Sequence, residues 1–470
     1  MAFVGHAPLA ARLNIGASVL TFGVALGLAF EVLEKGPIMT HGQAFFLDPY
    51  NVFLVSLTAF VAATTSIFSQ PYMLHEKEIG RVTSGNLRLY HAMFQMFVFG
   101  MLLALTTNNL GVLWIALELA TLATVLLVSL YRTPAAISAA WRYFILCGVG
   151  IALALFGTIL IFSTSSEVLG HSNAALTWTL LYKNAGDLTP GVVTIAFVFL
   201  IVGYGTKVGL VPMHAWLPDA HGEGPTPISA VLSGLLLNVA LYALVRCKAL
   251  VDGATHNQLA GQLMMGFGLL SLLVASMSLH RQRDIKRMYS FSSIEHMGLM
   301  TFSFGIGTPL ANYAALLHMT VHSLVKSGIF FTVGHAAQAM GTQSMIKIRG
   351  LIRFHPGIGW GLLLGTIAIA GFPPFGVFAS EFLMITATLQ SYPWTMGLLL
   401  PCLVIAFAGL FRHLQPMVFG NPPEEVRAVR VNMLPVYIHL GLALVLGLAI
   451  PGFLADWYHS ASELLHRGMP

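Results

Sequence analysis

The chain has 470 residues, 56% of them hydrophobic and 9% charged, with a formal net charge of +5 and a mean hydropathy of +0.79. Apolar runs recur from near residue 12 to near residue 454 and leave no polar stretch long enough to enclose a separate soluble core, which excludes a multidomain soluble protein. The basic residues are scattered over short connections, which argues against nucleic-acid binding, and Cys147, Cys247 and Cys402 lack metal-site or disulfide spacing and read as core filler.

Runs of roughly 20 apolar residues, rather than alternating ten-residue strands, make this an all-α polytopic membrane protein. Thirteen spans are predicted: 12–33, 50–73, 91–107, 109–131, 136–164, 190–216, 225–247, 256–279, 285–306, 309–338, 358–388, 394–417 and 432–454. The first is too long for a signal-peptide core, lacks a cleavage site before Glu31, Glu34 and Lys35, and is expected to stay as a helix. Alternating the loops puts sixteen Lys and Arg on one side and five on the other, with Lys207 and Lys326 inside spans. That asymmetry predicts a cytoplasmic amino terminus and, with an odd span count, a carboxyl terminus with Asp456 and Glu463 outside.

Two spans are interrupted. Gly203 to Pro212 and Gly371 to Gly376 each combine permissive glycines with prolines that withhold a backbone donor. Freed carbonyls at bilayer depth need protein or water, so a broken helix beside a charge suggests a hydrated cavity, and a packing kink is the plainer alternative. Lys207 and Glu381 lie 174 residues apart and Glu118 and Glu295 lie 177 apart, each pair five spans apart in order. Five is odd, so equivalent helices run in opposite directions, as inverted repeats require.

Glu118, Lys207, Lys326 and Glu381 each sit in an apolar run, where an unpaired charge costs several kcal/mol. Retaining four argues for an ion path; the alternative is a set of structural ion pairs. Lys207 is the natural partner of Glu118, since a desolvated acid and base stabilise each other's charge. His318, His322 and Lys326 recur at intervals of four, placing all three on one helical stripe suited to relaying protons. The paired histidines also have metal-ligand spacing, but no carboxylate or cysteine in their own span completes a set, so no metal is assigned.

Past the first break, His214, Asp219, His221 and Glu223 crowd ten residues on the cytoplasmic side, either as a proton-collecting mouth or as a capped, solvated turn. Glu295 and His296 follow the cluster Arg281 to Arg287. That cluster reads as an orientation signal with a salt-bridged Asp284, and Glu295 is expected to stay hydrated near the cytoplasmic surface, below the other four in rank.

At these residues the chain resembles the antiporter-like membrane subunits of respiratory complex I and its hydrogenase relatives. The likeness rests on Glu118, Gly205-Thr206-Lys207 before Pro212-Met213-His214-Ala215-Trp216-Leu217-Pro218-Asp219-Ala220-His221, His322 four before Lys326, and Pro373 to Glu381. It covers nearly everything from about residue 45, and Leu235 to Asn238, Ser292 to Glu295 and Pro373 to Phe375 look closest to the hydrogenase-4 component F branch of formate hydrogenlyase-type complexes. The resemblance implies two inverted five-helix repeats, here about 91–247 and 256–417, with flanking helices 12–73 and 432–454, making one membrane domain over 1–470. It also implies a midplane row carried here by Glu118, Lys207, Lys326 and Glu381. Asn238 stands where many relatives place a lysine or histidine, so His318, His322 or water is expected to bridge Lys207 and Lys326. The amino-terminal side looks one helix short of the usual fourteen.

The expected function is proton translocation within a redox-driven complex of a prokaryotic inner membrane. No cofactor or catalysis is assigned to this chain, and the expected partners are other membrane subunits, a peripheral redox arm and lipid. A Na⁺ or other cation transport subunit and a structural anchor are the alternatives.

Overall fold

The computed structural model describes residues 7–255, 257–422 and 431–467. Helix α1 (Ala7–Lys35) leads through a hairpin, β1 (Ile38–Thr40) paired antiparallel with β2 (Phe45–Leu47), into α2 (Pro49–Glu78). Asp48 caps α2 reciprocally with Asn51, satisfying two otherwise orphan amides, and Pro49 stands in the first turn where no donor is needed. Next come α3 (Ser84–Thr106), α4 (Leu110–Val128), α5 (Pro134–Leu169), the short α6 (Trp178–Lys183) and α7 (Pro190–Val208). Beyond the first break lie α8 (Trp216–Glu223), α9 (Thr226–Val231) and α10 (Leu237–Thr255), the last two joined by a π-helical turn at Leu232–Leu236.

The second half runs through α11 (Leu259–Leu279), α12 (Ile285–Ile306), α13 (Pro309–Met340), the one-turn α14 (Leu351–Phe354), α15 (Pro356–Ile369), α16 (Gly376–Ser391) and α17 (Met396–Phe419). It closes with α18 (Leu434–Leu448) and α19 (Gly452–Arg467). Ten spans among the described residues are long and apolar enough to cross a membrane, or eleven if α18 and α19 count as one despite a 79° bend. Helix α12 is diluted by Lys286, Arg287, Glu295 and His296, and the second break leaves α15 and α16 at 14 and 16 residues.

Burial sorts the helices. The apolar stretches of α9–α10 and of α13 are wholly enclosed, while α1, α5 and α17 turn large apolar side chains such as Leu20, Phe30, Val149 and Val404 outward. Helix α13 touches α2, α9, α12, α15, α16, α18 and α19, which makes it the axis of the second half. Neighbour relations recur between the halves: α3 packs on α4 as α11 packs on α12, α4 on α5 as α12 on α13, and α5 on α7 as α13 on α15 and α16. Close approach sets these contacts. A side chain at Gly203 would strike the α5 backbone, and one at Gly268 the α12 backbone.

Three expectations are corrected. Asp284 has no salt bridge among the described residues; it caps α12 by accepting from the Lys286 and Arg287 amides at 2.8 and 3.0 Å, the ordinary role of an Asp before a helix. The last predicted span stops at Leu448, because the chain turns at Pro451 into α19, which buries Trp457, Tyr458 and Ala461 against α2 and α13. Glu295 is enclosed in α12 at 3% exposure rather than hydrated.

Candidate functional site

Both breaks are built alike. Helix α7 ends where Gly209 takes φ +84°, and the Leu210 amide bonds back five residues to the Gly205 carbonyl at 2.9 Å. Helix α15 ends where Gly371 takes φ +69°, and the Phe372 amide bonds back five residues to Ile367 at 3.2 Å. A positive φ in that range is open to glycine at little strain and lets the reversed turn close on the last carbonyls. Side chains from elsewhere complete the first break: Ser271 Oγ accepts from the Val211 amide at 2.9 Å, and Trp216 Nε1 donates to the Thr206 carbonyl at 2.8 Å.

Stopping α7 here fixes Lys207, fully buried, in its last turn. Lys207 Nζ lies 3.7 Å from Glu118 Oε2 and donates to Thr121 Oγ1, one turn along α4 from Glu118. The Glu118 side chain remains 21% exposed, on the outer face of α4. Its Oε2 has no hydrogen-bond partner among the described residues. The pair is therefore long, desolvated on the lysine side and open on the acid side, a state sensitive to any charge brought beside it.

The centre holds Asn238, whose Nδ2 donates to Ser323 Oγ at 2.8 Å and to the Met319 carbonyl at 3.3 Å. The π-helical turn presents the Gly234 carbonyl to the same group, and Ser323 Oγ donates to it at 2.7 Å. Such turns inside helices recur at functional sites. Ser323 stands one turn before Lys326, whose Nζ donates to the Tyr289 carbonyl at 2.9 Å and has no carboxylate within ion-pair distance among the described residues.

Beyond Lys326, α12, α13 and α16 converge. His296 Nδ1 is 3.1 Å from His318 Nε2 and 3.8 Å from Glu381 Oε1, and the His296 and His322 ring centres are 5.6 Å apart. Glu381 follows the second break, and its carboxylate lies against Gly371, where no side chain intervenes. Both nitrogens of His322, Nε2 of His296 and Oε2 of Glu295 are buried without hydrogen-bond partners among the described residues. Water or mobile protons are the natural complement of such groups.

The four mouth residues divide. Asp219 is clamped at 2.8 Å by both Arg142 and Arg287, and Glu223 lies 3.9 Å from Arg287. His221 is fully buried, stacked on Phe330 at 4.9 Å with both nitrogens unpartnered, so the solvated-turn reading does not hold there. His214 is half-buried beside Phe291. A polar cavity of about 750 Å³ opens among Arg81, Tyr131, Glu223, Arg283, Asp284 and Gln343.

Sequence reasoning passed over Thr121, Tyr289, Ser323, Ser380 and Lys286. Lys286 is buried with Nζ donating to the Gly224 carbonyl at 2.7 Å. Its signal was present: Lys286, Tyr289, Ser293 and His296 fall at helical spacing on one face of α12, but the adjacent arginines made the lysine look like one more surface charge.

Residues 107–406, more than half of the chain, match the family described as NADH:quinone oxidoreductase/Mrp antiporter, TM. The chain belongs to that family. As an antiporter-like membrane subunit it is 47% identical over 453 residues to the hydrogenase-4 component F homolog of Methylacidiphilum infernorum (isolate V4), covering 96% of this chain and 94% of the relative. It is 27% identical to NADH-quinone oxidoreductase subunit N of Desulforudis audaxviator (strain MP104C), over 90% and 86% of the two chains. It is 26% identical to an Na(+)/H(+) antiporter subunit of Alkalihalophilus pseudofirmus, over 91% and 86%. In fold it matches a chain of the archaeal membrane-bound sulfane sulfur reductase, with a TM-score of 0.86 at 23% identity over 98% and 94% of the chains. The Mrp complex from Dietzia sp. DQ12-45-1b gives 0.85 at 16% identity over 98% and 93%.

Proposed function

We propose that this antiporter-like subunit translocates protons along a buried row, Glu118 to Lys207, through Asn238 and Ser323 to Lys326, then by His322, His296 and His318 to Glu381. The observation that carries the reading is the convergence of α12, α13 and α16, which sets two histidines and an acid within 4.8 Å of one another beside unpartnered ring nitrogens. Imidazoles and carboxylates can both take up and release protons, and a ring such as His322 with neither nitrogen held suits stepwise transfer.

The subunit works within a redox-driven complex of the hydrogenase-4, formate hydrogenlyase or complex I kind, in a prokaryotic inner membrane, with its amino terminus cytoplasmic. Similarity to the hydrogenase-4 component F homolog supports the first. Partner chemistry biases the Glu118–Lys207 pair, and the change passes along the row through two inverted repeats at about 91–247 and 256–417. The chain contributes no redox group. His221 and Lys286, buried between the polar cavity and the row, supply the cytoplasmic intake, with His214 and Glu223 at its edge, while Asp219 holds the mouth's shape.

The test is proton flux in vesicles carrying Lys207→Ala in the assembled complex. Flux is lost while electron transfer persists; unchanged flux refutes the row. Similarity to an Na(+)/H(+) antiporter subunit favours a second reading, cation exchange. It requires flux that depends on Na⁺, whereas the row is rich in bases that repel a cation.

A further inference from the structure

The histidine pair of α13 lacks a carboxylate in its own span, but the fold brings one from α16 and a third imidazole from α12. His296 Nδ1, His318 Nε2 and a Glu381 carboxylate oxygen all lie within 4.8 Å of one another. Two of the separations are 3.1 and 3.8 Å. Ligand atoms about 2.0–2.2 Å from a tetrahedral ion stand roughly 3.4 Å apart, a spacing that the two shorter separations bracket.

The tautomers strengthen the case. With Ser380 Oγ donating to the Val377 carbonyl at 2.8 Å, its lone pair faces His318 Nδ1 at 2.9 Å. In that arrangement His318 carries its proton on Nδ1 and turns the lone pair of Nε2 toward His296. An imidazole held on its far nitrogen by a hydroxyl, with its near nitrogen free, is how metal-binding histidines are oriented. Glu381, 13% exposed on its side chain, gives the cluster an opening that the two enclosed histidines lack.

We propose that His296, His318 and Glu381 form a binding site for a divalent transition-metal ion, Zn²⁺ fitting the two-nitrogen, one-oxygen donor set and leaving a fourth position for water. Soft monovalent or hard divalent ions suit it less, since imidazole favours the late first-row metals over Mg²⁺ or Ca²⁺. Binding displaces any proton shared between the two imidazoles and occupies the lone pairs that the proton row uses, so an ion bound here also stops flux. Formation of the site does not depend on that row.

The test is Zn²⁺ binding to the complex in lipid nanodiscs by equilibrium dialysis, with X-ray absorption at the zinc edge. One ion per chain is expected, with an imidazole shell of two nitrogens. His296→Gln and Glu381→Gln weaken binding at least tenfold, and Ser380→Ala, which only releases the His318 orientation, weakens it about 10–100-fold. Wild-type affinity in the His296→Gln, Glu381→Gln double variant, or an absorption spectrum without imidazole, overturns the site. The spectrum of the wild-type complex decides alone where a variant fails to assemble. Zinc binding lost with Lys207-dependent flux intact refutes the site and spares the row; zinc bound while the Lys207→Ala complex still pumps refutes the row and spares the site.

Discussion

Removing the Glu118 charge alone and removing the whole Glu118–Lys207 pair should have unequal effects on stability and the same effect on transport. At 3.7 Å and an effective dielectric near 20, the attraction between the two charges is about 4.5 kcal/mol. Glu118→Gln keeps the shape but leaves Lys207 buried with Thr121 as its remaining side-chain partner, and stranding one member of a buried pair costs about 3–5 kcal/mol. Replacing both, Glu118→Leu with Lys207→Met, removes the stranded charge and returns stability to within about 1 kcal/mol of the wild type or above it. The assay pairs thermal unfolding in nanodiscs with proton flux in vesicles. Glu118→Gln unfolds earlier, the double variant regains its midpoint, and both lose flux. A double variant that regains stability and still pumps would show the pair to be a structural staple, and the row would have no first step.

Two further outcomes follow from single contacts. Arg246 is enclosed by the rings of Phe46, Tyr50, Trp178 and Tyr242 and bonded to Asp48 at 2.6 Å, so Asp48→Asn, which can still cap α2, strands the guanidinium and lowers stability by about 3–5 kcal/mol in nanodisc unfolding; an unshifted transition refutes the lock. Gly371→Ala places a methyl on the Glu381 carboxylate at a positive φ, a conformation costing an L-residue roughly 1–2 kcal/mol, and should cut vesicle flux without altering any charge; full flux shows that Glu381 need not occupy this position.

What the sequence made legible follows from period and from exceptions to it. Each of the thirteen predicted segments overlaps a helix, because long apolar runs permit little else in a bilayer, although ten or eleven spans among the described residues are long and apolar enough to cross a membrane. Both breaks were readable as glycine and proline within apolar runs. The stripe of His318, His322 and Lys326 was readable because its members share one helix. What links helices was hidden. Nothing in the chain order says that His296 meets His318, or that Ser380 meets the far side of the His318 ring, since those contacts depend on crossing and register. Glu295 and Lys286 were misplaced for a related reason: proximity in sequence to Arg281, Arg283 and Arg287 suggested water, while α12 carries both inward. The amphipathic α19 was missed because its apolar residues, Trp457, Tyr458 and Ala461, are too sparse to register as a span yet suffice to cover the end of α13.

The outer face of α4 and α5 raises the question of what lies beside it. Glu118 has a 21% exposed side chain, and from Leu122, one turn further along α4, a groove of about 590 Å³ is lined by Leu122, Leu126, Trp141 and Phe144. Lipid tails would leave the carboxylate neither hydrated nor hydrogen-bonded on its open side, an expensive arrangement for an acid at bilayer depth. An adjoining membrane subunit would relieve it by excluding lipid and supplying a donor, and the same contact would give that subunit a direct electrostatic hold on Lys207. A lipid-soluble carbodiimide, which modifies carboxyl groups it reaches from the bilayer, distinguishes the two environments. Glu118 is labelled in the isolated chain and protected in the assembled complex. Equal labelling in both would mean that this face stays open to lipid, and the bias on the first pair would then have to arrive through the helices behind it.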